Sequence, residues 1–188
     1  KADAINDDRG NGGEKMEEPR IIVNTIMTKE DYRKFLYIAT FRRNKLIIPL
    51  LCLISLIGSI IIGIGNGDIN LVLVITSWVF LFALSIMVVV FKVERKNAQR
   101  IKTDKTGAFD SVNILKFYDD KITMENKALK STGELKYEQF YAVMESRDYF
   151  IFYFTVNQAS LIRKKDVDNL KEFKEFIVNK FRNKYKEI

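Results

Sequence analysis

Two unbroken apolar runs set the class of this chain before any other feature. From Leu46 to Gly65 the sequence LIIPLLCLISLIGSIIIGIG holds no ionisable group except the Cys52 thiol, and from Leu71 to Phe91 the run LVLVITSWVFLFALSIMVVVF holds none. A bilayer's hydrocarbon core of roughly 30 Å takes about 20 helical residues, so each run is long enough to cross it. Fifteen residues of the second run are Leu, Ile, Val or Phe. At about 0.3–0.6 kcal/mol each, inserting them gains roughly 5–9 kcal/mol. Burying both runs as core helices would need a far larger soluble protein than 188 residues supply. A signal peptide fits no better, because the first run starts well inside the chain and the second follows too closely for cleavage.

Only Asn66, Gly67, Asp68, Ile69 and Asn70 separate the runs, a turn-forming stretch that makes the two spans an antiparallel hairpin. Orientation follows from the flanks. Residues 27–45 and 92–110 together carry twelve cations against five anions, while the tip carries no cation. The positive-inside rule then predicts a cell-membrane protein with two spans, both termini cytoplasmic and the tip outside. The flanks account for the whole formal charge of +7, so the basic balance records topology and not nucleic-acid binding. Their second reading is attraction of anionic headgroups, with Arg42, Arg43, Lys45, Lys92, Arg95 and Lys96 as candidate lipid contacts.

Inside the spans the informative residues are small. Ser55, Ser59 and Gly63 recur at four-residue spacing and form a stripe along which another helix can approach, either the second span through Ser77 and Ser85 or a second copy in a homodimer. Pro49, one turn inside the first run, suits a kink or a helix start. Neither span carries a carboxylate, lysine or arginine, so the sequence offers no proton relay or ion site there. With no histidine and a lone cysteine, Cys/His zinc sites, His-dependent nucleophiles and internal disulfides are excluded, and no cofactor is expected. Paired carboxylates such as Asp119 and Asp120, or Glu134 and Glu138, are ordinary turn and strand residues, so no enzyme activity is expected either.

The aqueous parts divide by composition. Residues 1–19 are polar and glycine-bearing and read as a disordered tail or leader, in which Met16 is a candidate natural start. In 20–45, RIIVNTIM reads as a strand, and Thr28 with Asp31 forms a capping-box pattern that opens a helix with Tyr32, Phe35, Leu36, Ala39 and Phe41 on its apolar side. That helix is expected to run into the 46–91 hairpin (spans 46–65 and 71–91). Residues 92–110 read as a basic juxtamembrane helix or linker. From 111 to 188 the pattern predicts strands at 112–118, 121–125, 133–137, 139–145, 149–155 and 159–163, then an amphipathic helix from Asp168 to Tyr185 with Leu170, Phe173, Ile177 and Phe181 on one face. The fold expected is an α+β membrane protein: a two-helix transmembrane hairpin and a cytoplasmic antiparallel β-roll capped by the C-terminal helix.

The order of parts resembles a known family. Thr28-Lys29-Glu30-Asp31-Tyr32, the Arg42-Arg43 pair before the hairpin, and Tyr149 to Phe154 leading to Asn157-Gln158-Ala159 and Leu161-Ile162-Arg163-Lys164-Lys165 are similar to YcxB-like membrane proteins. The resemblance spans about residues 20–185 and is most specific over 149–166. Arg163 stands where the family usually has proline. The resemblance implies a C-terminal domain like a pleckstrin-homology roll, and no catalytic residues to carry over. Such a roll has seven strands, so the 20–27 strand is expected to return and complete it. The functions left are a membrane-anchored regulatory or protein-interaction module with an unidentified protein partner, or a sensor of anionic membrane lipids. Abundant Lys, Ile and Asn suit a bacterial source.

Overall fold

The computed structural model describes residues 18–65, 68–105 and 107–188. Most of the expected N-terminal tail, including Met16, and Asn66 and Gly67 of the hairpin tip lie outside the described residues.

The chain opens with β1 (Ile21–Ile26) and α1 (Lys29–Tyr37). The capping box forms as expected: the Asp31 amide donates to Thr28 Oγ1 at 3.1 Å, and the Thr28 amide donates to the Asp31 carboxylate at 3.0 Å. α1 continues as a π-helical turn, Ile38–Arg42, and then breaks. The helix expected to run towards or into the first span leads to it through a bend of 61° before α2 (Ile47–Gly63). Pro49 explains the break, because it has no amide proton to donate one turn back; it sits in the first turn of the new helix, where that donor is not needed.

α2 turns over through β2 (Ile64–Gly65) and β3 (Asp68–Ile69), which pair antiparallel, into the 33-residue α3 (Leu71–Thr103). Asn70 caps α3 by accepting from the Leu73 amide at 3.1 Å. α3 is long and apolar enough to cross a membrane, and its most apolar 18-residue window is only 6% buried, unlike the core helix of a soluble domain. α2, at 17 residues, spans about 25 Å. It packs along α3 and leaves a belt of Leu, Ile, Val and Phe on both helices open to the surroundings.

At Gly63 the chain leaves no room for a side chain between the two helices. A Cβ there would collide with Val74 Cγ2, which as a β-branched side chain cannot swing aside. Gly63→Ala is therefore expected to destabilise the full chain by about 1–3 kcal/mol in thermal unfolding in detergent. Adding Val74→Ala should restore most of the loss; no recovery in the double variant would show that the contact is not the cause.

The remaining strands form two four-stranded sheets. The first has the order β1, β4 (Val112–Phe117), β5 (Lys121–Asn126) and β6 (Ser131–Lys136), all antiparallel. Thus β1 does return across the helical hairpin, pairing Ile21 with Phe117 and Ile26 with Val112. The second sheet has the order β10 (Tyr185–Glu187), β7 (Ala142–Glu145), β8 (Tyr149–Tyr153) and β9 (Ala159–Arg163).

Four expectations are corrected here. The second sheet is mixed and not wholly antiparallel, since β10 runs parallel to β7. The strand expected over 139–145 is shortened by a 3-10 turn at Tyr137–Gln139. The terminal helix, α4 (Leu170–Phe181), stops before Tyr185, where Arg182 adopts φ 45° and turns the chain into β10. Leu170, expected on the apolar face, is exposed at the first position of α4.

Between the sheets lies the main core, which includes Phe117, Phe150, Phe152, Phe173, Ile177 and Phe181. Phe173 and Phe181 of α4 insert edge-on among these rings: Phe173 lies 5.1 Å from both Phe117 and Phe150, and Phe181 lies 5.7 Å from Phe152. The opposite face of the second sheet carries Met144, Tyr149, Ile151, Tyr153 and Leu161, covered by Phe35 and Ile38 of the helical arm. Every residue of β8 is consequently buried. The YFIFY sequence is apolar at odd and even positions alike because α4 and the first sheet cover one face and α1 the other.

Candidate functional site

The functional interest centres on the junction where α1, the polar end of α3 and the second sheet meet. α1 lies antiparallel along α3 and is tied to it by Glu94, which accepts from Tyr37 Oη at 2.6 Å and from Arg33 Nε at 2.8 Å. Leu36, Val93 and Asn97 are buried between the two helices. On its other side α1 is tied to the sheet by Asp31, which accepts from Tyr149 Oη at 2.7 Å.

Asp31 belongs to a wider buried network. Arg163 makes a bidentate pair with Asp166, at 2.6 and 2.9 Å, and its Nη1 lies 3.7 Å from the Asp31 carboxylate. Thr25 of β1 donates to Asp166 at 2.7 Å, so the network joins the edges of the two sheets. Glu145 of β7 is engaged by Lys164, Lys174 and Tyr185, which fixes β10 and α4 to the same sheet.

Burial pushes the Asp31 pKa up, but the Thr28 hydrogen bonds, Tyr149 and the Arg163 charge outweigh it, so the carboxyl lies below its ordinary value of 3.8. Glu145 is lowered for the same kind of reason, burial being outweighed by hydrogen bonds from Lys164, Tyr185 and Lys174. A depressed carboxyl pKa stabilises the fold above the unfolded-state value and loses that contribution as pH falls through the folded-state value. Stability of the full chain in detergent should therefore change little on these groups' account between pH 7 and about 5, and fall below about pH 4. Asp31→Asn should flatten the acid limb; an acid limb as steep as that of the parent chain would exclude Asp31 as a contributor.

Beside this lock opens a cleft of about 480 Å³ between α1, the start of α2, α3 and the β8–β9 loop. Ile47 and Val89 line it from the apolar helices, Lys92 and Lys96 from the first turns of α3 beyond Phe91, and Tyr153 from the sheet. Arg43 crosses its rim, donating to the Val156 carbonyl at 2.7 Å with its guanidinium 5.0 Å above the Tyr153 ring. Burial raises the Tyr153 pKa, partly offset by the Arg43 guanidinium, which lies close enough to donate towards the phenol oxygen and adds its charge. Tyr153 is 1% exposed, yet its hydroxyl proton has no acceptor among the described residues.

The six cations singled out from sequence thus divide. Arg43, Lys92 and Lys96 line the cleft and Arg42, Lys45 and Arg95 do not; of the six, Arg43 is half-buried and the others are exposed. Ser55, Ser59 and Gly63 are buried in α2 and face α3, while the two serine hydroxyls donate to carbonyls of their own helix, so the stripe is occupied within the chain. Ser77 and Ser85 likewise bond to their own helix, while Trp78 Nε1 donates across the helices to the Cys52 carbonyl at 3.4 Å. Sequence reasoning passed over Asp31 beyond its capping role, Glu94 and Tyr153. Their partners lie 118, 57 or more residues away, or are missing, and no local pattern marks them.

Residues 117–177 match the family model described as YcxB-like protein, a segment of about one third of the chain. It starts at the end of β4 and takes in β5 to β9 and most of α4, stopping before β10. No curated protein and no solved structure matches the chain.

Proposed function

From a chain that is YcxB-like over residues 117–177, we propose a membrane-anchored regulatory or protein-interaction module without catalytic activity. Its α2–α3 pair crosses the bilayer twice as a hairpin and holds the two-sheet domain, a roll of the pleckstrin-homology kind, against the cytoplasmic leaflet. The observation that carries this reading is the rigid junction. A tether would need only a flexible linker, but here α3 runs unbroken from the apolar belt to Thr103, and α1 is bonded both to α3 through Glu94 and to the sheet through Asp31. A partner bound to the sheets would therefore act on the helices, and a change in the helices on the sheets.

The exposed belt of α2 and α3 supports lipid as its cover, since contiguous apolar surface of this extent is not left to water. The full chain is expected to stay in the membrane fraction through an alkaline carbonate wash and to leave it only with detergent. Release by carbonate alone, or a chain that remains dispersed without detergent, would end the anchored reading.

A further inference from the structure

We propose that the cleft at the junction is a binding site for one anionic phospholipid, its phosphate-bearing headgroup held by Lys92, Lys96, Arg43 and Tyr153. The inference rests on the membrane-anchored reading and adds to it a ligand class and a place.

Position is the first argument. Ile47 and Val89 belong to the apolar helices and Lys92 follows directly on Phe91, so the cleft opens where hydrocarbon would give way to headgroups. Its lower wall is apolar and its upper wall cationic, which is the polarity of a phospholipid at that depth. Charge is the second. Three cations line the cleft and no carboxylate does, although residues 27–45 and 92–110 also contain five acids. Lys92 and Lys96 have no ion-pair partner among the described residues, in contrast to Arg33 and Lys34 on the adjoining α1. An anion bridging these two ammonium groups relieves their mutual repulsion one turn apart on α3.

The third argument is independent of charge. The Tyr153 hydroxyl is buried beside the Arg43 guanidinium, which can donate to its oxygen but cannot accept its proton, so the O–H donor has no acceptor among the described residues, and buried polar groups are nearly always satisfied. A phosphate oxygen in the cleft would accept its proton. Arg43, already held by the Val156 carbonyl, would keep a donor for the same group, since a guanidinium has five.

The test uses the full chain, stripped of lipid in a non-ionic detergent and titrated with phosphatidylglycerol or phosphatidylcholine, with bound lipid counted by native mass spectrometry. One phosphatidylglycerol is expected to be retained at least tenfold more tightly than phosphatidylcholine. Lys92→Gln with Lys96→Gln should lower that retention about tenfold, while Lys45→Gln with Arg95→Gln, which removes the same charge outside the cleft, should leave it unchanged. Tyr153→Phe should lower it at least threefold without lowering the melting temperature. Equal losses in the two charge pairs would reduce the effect to general surface attraction and overturn the site. Displacement by inorganic phosphate at the lipid's own concentration would overturn the lipid assignment. A chain that resists carbonate yet shows no headgroup preference would reject the cleft alone, leaving the anchor intact.

Discussion

Replacing Phe173 by alanine is expected to cost about 3–5 kcal/mol, the largest effect of any single substitution considered, because it empties the centre of the two-sheet core. Phe173 is fully buried and touches Phe117 of the first sheet and Phe150 of the second at the same 5.1 Å. Its ring joins both sheets to α4, so the cavity cannot close without moving one sheet towards the other. Thermal unfolding of the full chain in detergent, followed by near-ultraviolet circular dichroism, would read the loss. Leu170→Ala on the same helix is the control. Leu170 is exposed, and the change should stay within about 0.5 kcal/mol. Similar losses at the two positions would mean that α4 is not seated between the sheets.

The second large effect is electrostatic. Arg163→Ala leaves the carboxylate of Asp166 without its bidentate partner and Asp31 without its nearest cation, both at 11% side-chain exposure. Breaking a largely buried pair from one side costs about 3 kcal/mol, because the remaining charge keeps its desolvation penalty. The double variant Arg163→Ala with Asp166→Ala should cost less than the two single losses added together, since it removes both halves of the pair. Strict additivity would show that the two side chains do not depend on one another. A loss at Arg163 should also loosen α1 from β8, since Asp31 holds Tyr149 from the same carboxyl group.

These two residues show what could be read from sequence and what could not. Phe173 stood out in a spacing of four with Ile177 and Phe181, and that period survives folding because α4 buries one stripe. The run of aromatics in β8 announced a core strand, but its second cover, α1, could not be named. Apolar positions on both faces say that two partners exist without saying which. Strand β10 escaped altogether, because YKE is short and polar and gains its place only by lying parallel to the buried β7. The apolar runs marked the helices but overstated the first by three residues, since Leu46 is only its N-cap and Ile64 and Gly65 turn into a strand pair at the tip. Arg163 was visible only as a departure from a family pattern; its two carboxylate partners come from a nearby turn and from a helix more than a hundred residues earlier.

The cleft was partly legible. Six basic residues marked the ends of the apolar runs, but selecting Arg43, Lys92 and Lys96 from among them required knowing which face of α3 meets α1. Tyr153 carried no signal of its own within YFIFY, because an unsatisfied hydroxyl can be recognised only after every neighbour has been placed. Its removal is expected to change the stability of the free chain by less than about 0.5 kcal/mol, since the Arg43 guanidinium beside that hydroxyl keeps its bond to the Val156 carbonyl.

The U-shaped anchor is the claim on which the lipid site and the proposed regulatory role both depend, and thiol accessibility in intact cells tests it most directly. With Cys52 replaced by alanine, single cysteines are placed by Glu18→Cys before β1, Asp68→Cys at the tip and Lys127→Cys in the β5–β6 turn, and exposed to a membrane-impermeant maleimide. The anchor predicts labelling at position 68 in intact cells, and at positions 18 and 127 only after lysis. Labelling of 18 and 127 from opposite sides, or protection of 68 while both others react, would contradict it.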